Sequence, residues 1–440
     1  MIRLQKFTPF PEVPPHTKYP MFIVHRFPPF GKRFFKRIRK IFGSTHFSHL
    51  WRLVIGLASI TGKKSLSKFA KLFGRRRSRQ AVSHFLTEAE WNAPELLLDN
   101  AISLLRKLGW KAGDTVYLIL DDTQKQKRAK KMDAVSKIFL HAEKVYAKGH
   151  TILCAAFVFR GVVIPCMVKL WASKQYCETS KSEKNDHEHV EFKKLTDLAA
   201  DCVRETTLPS DGKVIVMFDK FYLCDTVTKA CESRGFTYIG AVKTNRNFFP
   251  DGRPNDKRKL DKYGKNVLDR EGQLIAIEGS KKQHRVAQKI GTMSKLGRVN
   301  LAFSRRSGER SWIIVATNNL RYGAKTLIEH YRNRWPIEIL FKMSKQHLGL
   351  GDYQILRYTA VVRYLHLVMI AHHLLTHLAS ESSGEKERPH GRDALRLRSI
   401  GQMQVVLRAK LFEDCTKSLE EGSRYADVGK QLRKLLVPVE

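Results

Sequence analysis

Cysteine is present but in no useful pattern: seven residues are scattered along the 440, with no CxxC pair. That spacing excludes a disulfide framework, argues against a zinc site and fits a reducing cytoplasm. Long apolar runs are missing as well. The nearest, from Thr151 to Trp171, is broken by Arg160 and Lys169, so nothing reaches the roughly 18 residues of a membrane span. No apolar segment with a cleavage site stands at the N-terminus, and no secretion signal is expected. No internal repeat is visible. Acidic residues are scarce: Asp and Glu number 42 against 80 Lys and Arg, a net charge of +38. Such an excess disfavours a compact state unless a polyanion is the working partner. Nucleic acid is the leading partner, because neutralising phosphates supplies sequence-independent affinity.

What is present is enough to fold. Hydrophobic residues make up 42% of the chain, and its length suggests about two or three domains with real cores. Residues 1–45 are rich in Pro, Phe, Arg and Lys, and prolines 9, 11, 14, 15, 20, 28 and 29 forbid a long helix. This segment reads as a basic arm, either contacting phosphate with aromatic stacking or staying a disordered tail. Residues 46–110 are helical by period. Within them, TGKKSLSKFAKLFGRRRSRQAVSHFLTEAEW reads as helix, turn, helix, broken at Gly74. Its turn carries Arg75, Arg76, Arg77 and Arg79, which in a helix-turn-helix would meet DNA phosphates or guanines. A third helix is expected from Ala93 to Leu108.

Residues 111–245 change character to a mixed α/β pattern. DTVYLILDDT is a strand ending in two Asp, and HTILCAAFVFRGVVIPCMVKLW is a strand pair turning at Arg160-Gly161. A helix over Glu191 to Arg204 leads to the strand KVIVMFD, ending in Asp219, then to a helix closed by Gly235 and the strand FTYIGAV. Alternation of this kind builds a mixed sheet with helices packed on it. Residues 246–324 read as a β-rich insertion with a polar, loop-rich start. Residues 325–380 return to helix, and 381–440 form a charged tail, helical in parts.

The chemistry gathers around Tyr331 to Lys345. On a helical wheel with Tyr331 at zero, Arg334 falls at about 300°, Glu338 at about 340° and Lys345 at about 320°. Ile328, Trp335 and Ile339 flank this stripe on one side, Phe341 and Leu348 on the other. A carboxylate so flanked needs a cation or a metal as partner. Pro336 either kinks that helix or starts a new one capped by Asn333. Two further acids, Asp122 and Asp219, end strands that can meet at one sheet edge. Three carboxylates without a Cys or His pattern suit a hard, oxygen-ligated ion such as Mg²⁺, and two such ions suit phosphodiester chemistry. Along VYLILDD, Asp121 and Asp122 point to opposite faces. Asp122 is preferred for the site, because the polar segment after it puts it at the mouth of the sheet. Lys342 rivals Lys345 on the wheel.

Tyr331, Arg334, Glu338 and Lys345 match, at every spacing, the Tyr-(2)-Arg-(3)-Glu-(6)-Lys signature of bacterial insertion-sequence transposases. The strand ending in DDT, the VIVMFD strand followed by a Tyr, YIGAVKTNRNF and HFLTEAEWN resemble other blocks of that group, over residues 50 to 375. The resemblance implies an RNase H-like catalytic domain in two parts, 111–245 and 325–380, split by the insertion. It implies Asp122, Asp219 and Glu338 as holders of two Mg²⁺ ions, for which Mn²⁺ could substitute. Tyr331, Arg334 and Lys345 would hold phosphates near the cut end. Trp335 would stack on a flipped base or pack in the core. The implied activity is cutting of double-stranded DNA at transposon ends and joining of the 3′-hydroxyls to target DNA. Work on two ends at once implies a homodimer or larger assembly, in a bacterial cytoplasm on the nucleoid and not at a membrane. The alternatives are a transposase-derived DNA-binding protein without cleavage and a basic RNA-binding protein.

Overall fold

The computed structural model describes residues 24, 27–72, 79–129, 131–140, 143–182, 190–208, 212–251, 255–382 and 397–421. The chain begins with helices α1 (Lys32–Phe35), α2 (Ile38–Ile41), α3 (Ser44–Ser59), α4 (Leu66–Leu72), α5 (Arg79–Thr87) and α6 (Ala93–Lys107). Helix α6 starts where its cap dictates. Asn92 is extended and its side chain accepts the Glu95 N–H, filling one of the orphan donors of a helix start. The expected helix pair is present as α4 and α5, with Phe69, Val82, Phe85 and Leu86 buried. Arg79 opens α5, whereas Arg75, Arg76 and Arg77 lie outside the described residues, as does most of the basic arm.

Among the described residues the sheet has twelve strands. They are β1 (Thr115–Gln126), β2 (Ser136–Leu140), β3 (Val145–Phe159), β4 (Val162–Leu170), β5 (Lys213–Phe218), β6 (Thr237–Ala241), β7 (Asn247–Pro250), β8 (Arg258–Lys259), β9 (Gln273–Ile275), β10 (His284–Met293), β11 (Gly297–Arg306) and β12 (Trp312–Thr317). Between them stand α7 (Lys174–Ser182), α8 (Leu195–Glu205), α9 (Asp225–Ser233) and α10 (Leu260–Glu271), followed by α11 (Ala324–Arg332), α12 (Pro336–Met343), α13 (Tyr358–Ser382) and α14 (Ile400–Glu421). Strand β3 runs antiparallel to β1 and β4, while β5 pairs parallel to β1 and β6 parallel to β5. Three antiparallel strands followed by two parallel ones, with helices on both faces, fit an RNase H-like sheet. The turn between β3 and β4 has positive φ at both Arg160 and Gly161, as a twist-matched two-residue hairpin requires.

The insertion does not form a body of its own. Strand β12 pairs antiparallel with β6, so β12, β11, β10, β7 and β8 lengthen the same sheet. Its polar start contains α10, with Leu260, Gly264, Val267 and Leu268 turned inward.

Two apolar cores lie on the two faces of the sheet. One holds α3, α5, α11, α12 and α13 against Ile119, Cys154 and Met217. The other holds α8, α9 and α10 against Leu118, Leu120 and Leu153. The N-terminal helices therefore share a core with the helices after the insertion. Arg363 of α13 donates to the Leu86 and Thr87 carbonyls, closing the end of α5. Among the described residues no helix is long and apolar enough to cross a membrane.

Candidate active site

The site forms where β5 stops and β1 continues. The last β1–β5 pair is Leu120 with Phe218, so Asp121 and Asp219 are the next residue on each of two adjacent parallel strands. Beyond that level β1 runs on beside β3 to Gln126, which leaves its other edge open. Asp219 turns the chain: its Oδ1 accepts the Phe221 N–H at 2.8 Å and the Tyr222 N–H at 3.4 Å.

The two neighbouring aspartates face opposite ways, as strand geometry requires. Asp121 is opposite Cys154 and shares the face of Ile119, under α11 and α12. Asp122 is opposite Leu153, on the face of Leu120, where its Oδ1 accepts the Tyr222 hydroxyl at 2.7 Å. The acid that meets the helix stripe is therefore Asp121, whereas the strand-mouth argument favoured Asp122. The deciding fact is the position of α11 and α12, which strand alternation alone does not contain.

Helix α11 ends at Arg332 and α12 begins at Pro336, so Pro336 does start a helix. The preceding residue is Trp335, in helical φ/ψ and without a side-chain cap bond; Asn333 is not the cap. The link is a run of tight i→i−3 bonds, among them Arg334 N to Tyr331 O and Glu338 N to Trp335 O, which carries the chain on without reversal. Tyr331, Arg334 and Glu338 stay together across it. Arg334 Nη1 bonds Asp121 Oδ2 at 3.0 Å, and Nη2 bonds Glu338 Oε1. The Arg334 and Asp121 side chains are only 17% and 18% exposed. Trp335 and Ile339, expected as apolar flanks, point outward; Trp335 is 61% exposed. Ile328, Phe341 and Leu348 are buried as expected.

Lys345 lies further on, in a π-helical turn over Ser344–Leu348, with Nζ on the Gln124 carbonyl at 3.2 Å. It thus caps part of the open edge of β1. Along that edge runs a cleft of about 1130 Å³, starting at Asp122 and lined by Lys63, Lys125, Lys127, Arg128 and Lys345. Its walls also carry Glu143 and Asp352. Lys63 joins the cleft from a distant part of the chain, and Lys125 and Arg128 were not singled out in the sequence. Their sequence signal was the run Lys125, Lys127, Arg128 directly after the DDT strand.

The electrostatics follow from burial. Burial pushes the Asp121 carboxyl up to about 7; Arg334 pulls it down, and Asp122 and Asp219 push it up further. Burial also raises Tyr331 to about 12, against the pull of Arg334. Burial and the neighbouring Lys125 lower Lys345. Carboxylates gathered in one place attract a cation. Here that cation is the Arg334 guanidinium, standing between Asp121 and Glu338. The donors are all carboxylate oxygens, the chemistry a hard divalent ion prefers. Among the described residues no group of three or more His, Cys, Asp or Glu is set to hold a metal ion.

Comparison with known families agrees with the architecture. The model of the DDE superfamily endonuclease matches residues 37–295, more than half of the chain. The matched span contains both Asp121 and Asp219 and ends before Glu338. No curated protein matches the chain.

Proposed function

Since the chain belongs to the DDE superfamily endonuclease family, we propose that it is a DNA transposase acting on the ends of an insertion sequence. One observation carries this reading. Asp121, beside Asp219 at the level where parallel strands part, meets through Arg334 the glutamate of the Tyr-Arg-Glu-Lys stripe, in a chain of net charge +38. The acids that act are Asp121, Asp219 and Glu338, with Asp122 held away by Tyr222.

DNA enters along the cleft, where Lys63, Lys125 and Arg128 meet its backbone. Arg334 and Tyr331 hold the phosphate at the cut, Arg as a planar fork and Tyr as a hydroxyl donor. Lys345, fixed by the Gln124 carbonyl, supplies a point charge at the neighbouring phosphate. Asp121, Asp219 and Glu338 would hold two Mg²⁺ ions, or Mn²⁺ in their place, which when bound activate an attacking oxygen and neutralise a leaving one. Water first attacks the phosphodiester at the element end. The freed 3′-hydroxyl then attacks target DNA, one phosphodiester replacing another. Trp335, exposed beside the cut, offers a face for an unpaired base. Two ends are handled by at least two copies of the chain.

The test is cleavage and strand transfer on DNA carrying the element's own inverted repeats, with Mg²⁺. Asp121→Asn, Asp219→Asn and Glu338→Gln should each reduce cutting and joining by about 10³-fold or more while leaving duplex binding intact. A wild-type protein that binds these ends yet never cuts them is a DNA-binding descendant of a transposase, and the proposal fails.

A further inference from the structure

The guanidinium of Arg334 stands between Asp121 and Glu338, where a cation is needed. Both oxygens of Asp121 already hold a donor: Oδ2 takes Arg334 at 3.0 Å, and Oδ1 takes the Asp122 N–H at 2.9 Å. Glu338 has Oε1 on the same guanidinium. Asp219 has Oδ1 on two backbone N–H groups. A divalent ion shared by Asp121 and Glu338 would sit against Arg334 in a pocket where water screens poorly. Like charges at that range repel strongly, so metal and guanidinium exclude each other there. Arg334 cannot simply leave either. Burial works against its charge, and Tyr331, Asp121 and Glu338 are what compensate. It needs another anion of matching shape. The planar fork that fits a carboxylate fits a phosphate equally well.

We propose that Arg334 is a resident counter-ion of the carboxylate cluster, released only by exchange onto a DNA phosphate, so that divalent metal and DNA bind with positive coupling. This rests on the nuclease reading of the same site. It gives the site a built-in order: a metal ion is held firmly only when a phosphate is there to take the arginine. A carboxylate cluster closed in this way keeps bound ions from promoting hydrolysis before substrate arrives. The coupling is reciprocal, so metal must also tighten DNA binding by the same factor.

The experiment is Mn²⁺ binding to the full chain, followed by the loss of the free-ion electron spin resonance signal, with and without a short duplex of arbitrary sequence. Wild type should bind Mn²⁺ about tenfold or more tightly with duplex than without it. Arg334→Gln, which keeps hydrogen bonding but removes the charge, should bind Mn²⁺ without DNA about tenfold or more tightly than wild type, and duplex should add little. Arg334→Lys, which keeps a charge, should stay near the weak DNA-free affinity of wild type. A structural defect would move both variants alike. The inference is overturned if Arg334→Gln binds Mn²⁺ no better than wild type, or if duplex leaves wild-type affinity unchanged. Should wild type bind Mn²⁺ firmly without DNA and lose it on Asp121→Asn, the metal site stands and the exchange falls. Should no variant bind Mn²⁺ under any condition, the nuclease reading itself falls.

Discussion

The two sides of the β1 end carry charge in opposite ways. On the helix side the charges of the site are paired: Asp121 with Arg334, and Arg334 with Glu338. On the cleft side Lys63, Lys125 and Arg128 have no acidic partner among the described residues. Paired charges set geometry and can be exchanged. Unpaired like charges hold a polyanion and are screened by salt. The comparison therefore assigns chemistry to one side and affinity to the other. The largest effect that could break it concerns affinity. The triple variant Lys63→Ala, Lys125→Ala, Arg128→Ala should weaken duplex binding by up to about 10³-fold at moderate salt. It should also flatten the slope of log affinity against log salt by about 2.7, since each lost phosphate contact removes about 0.9. An unchanged slope would show that DNA takes another path and that the cleft charges are incidental.

The second prediction sharpens the paired side through pH. Asp121 is raised from the usual carboxyl value to about 7, chiefly by burial. A raised carboxyl pKa means that the fold favours the protonated form. The cost to stability therefore appears as pH rises from about 4 to about 7, and grows no further above 7. Three pKa units correspond to on the order of 4 kcal/mol. Relative to wild type, the stability of Asp121→Asn should rise across that window and level off above it, on top of a pH-independent offset from the lost partner of Arg334, as read from denaturant midpoints between about pH 4 and pH 8. A difference that is flat over the window would mean that Arg334 compensates the carboxylate fully. On the cleft side Lys127, lowered to about 7 by burial, has the mirror window. Its cost appears as pH falls from about 10 towards 7.

Much of this frame could be read from residues, for physical reasons. Short-range rules placed the Arg160-Gly161 turn and the opposite facing of Asp121 and Asp122, and offered the helix start at Pro336 as one of two readings. Each depends on a few bonded neighbours. What could not be read depends on distant chain. Choosing between the two aspartates required knowing on which face α11 and α12 pack. Joining the insertion to the main sheet required the β6–β12 pairing, between Ile239–Ala241 and Val315–Thr317. The wheel kept Tyr331, Arg334 and Glu338 together but misplaced Trp335 and Ile339, because the tight turns before Pro336 shift the helical phase. Helix α10 was hidden by composition. Its apolar positions, Leu260, Gly264, Val267 and Leu268, keep helical spacing inside a polar stretch.

The smallest effect tests the boundary between the two sides, where Asp122 stands at the start of the cleft. Its Oδ1 accepts the hydroxyl of Tyr222, a fully buried ring on the opposite sheet face. Asp122 also donates its backbone N–H to Asp121 Oδ1 at 2.9 Å. Through that bond it fixes how Asp121 is presented to the cut. Groups that orient a ligand in this way typically cost about 10–100-fold when removed. Tyr222→Phe takes away one donor and keeps the packing. It should lower cleavage within that range and destabilise the fold by about 1–2 kcal/mol. Asp122→Asn, which can still accept from Tyr222, should cost less than Asp121→Asn by at least about tenfold. If Asp122→Asn instead silences cutting while Asp121→Asn leaves it active, the acting acid lies on the Tyr222 face. In that case Arg334 and Glu338 are paired to a bystander, and the assignment of chemistry to the helix side fails with it.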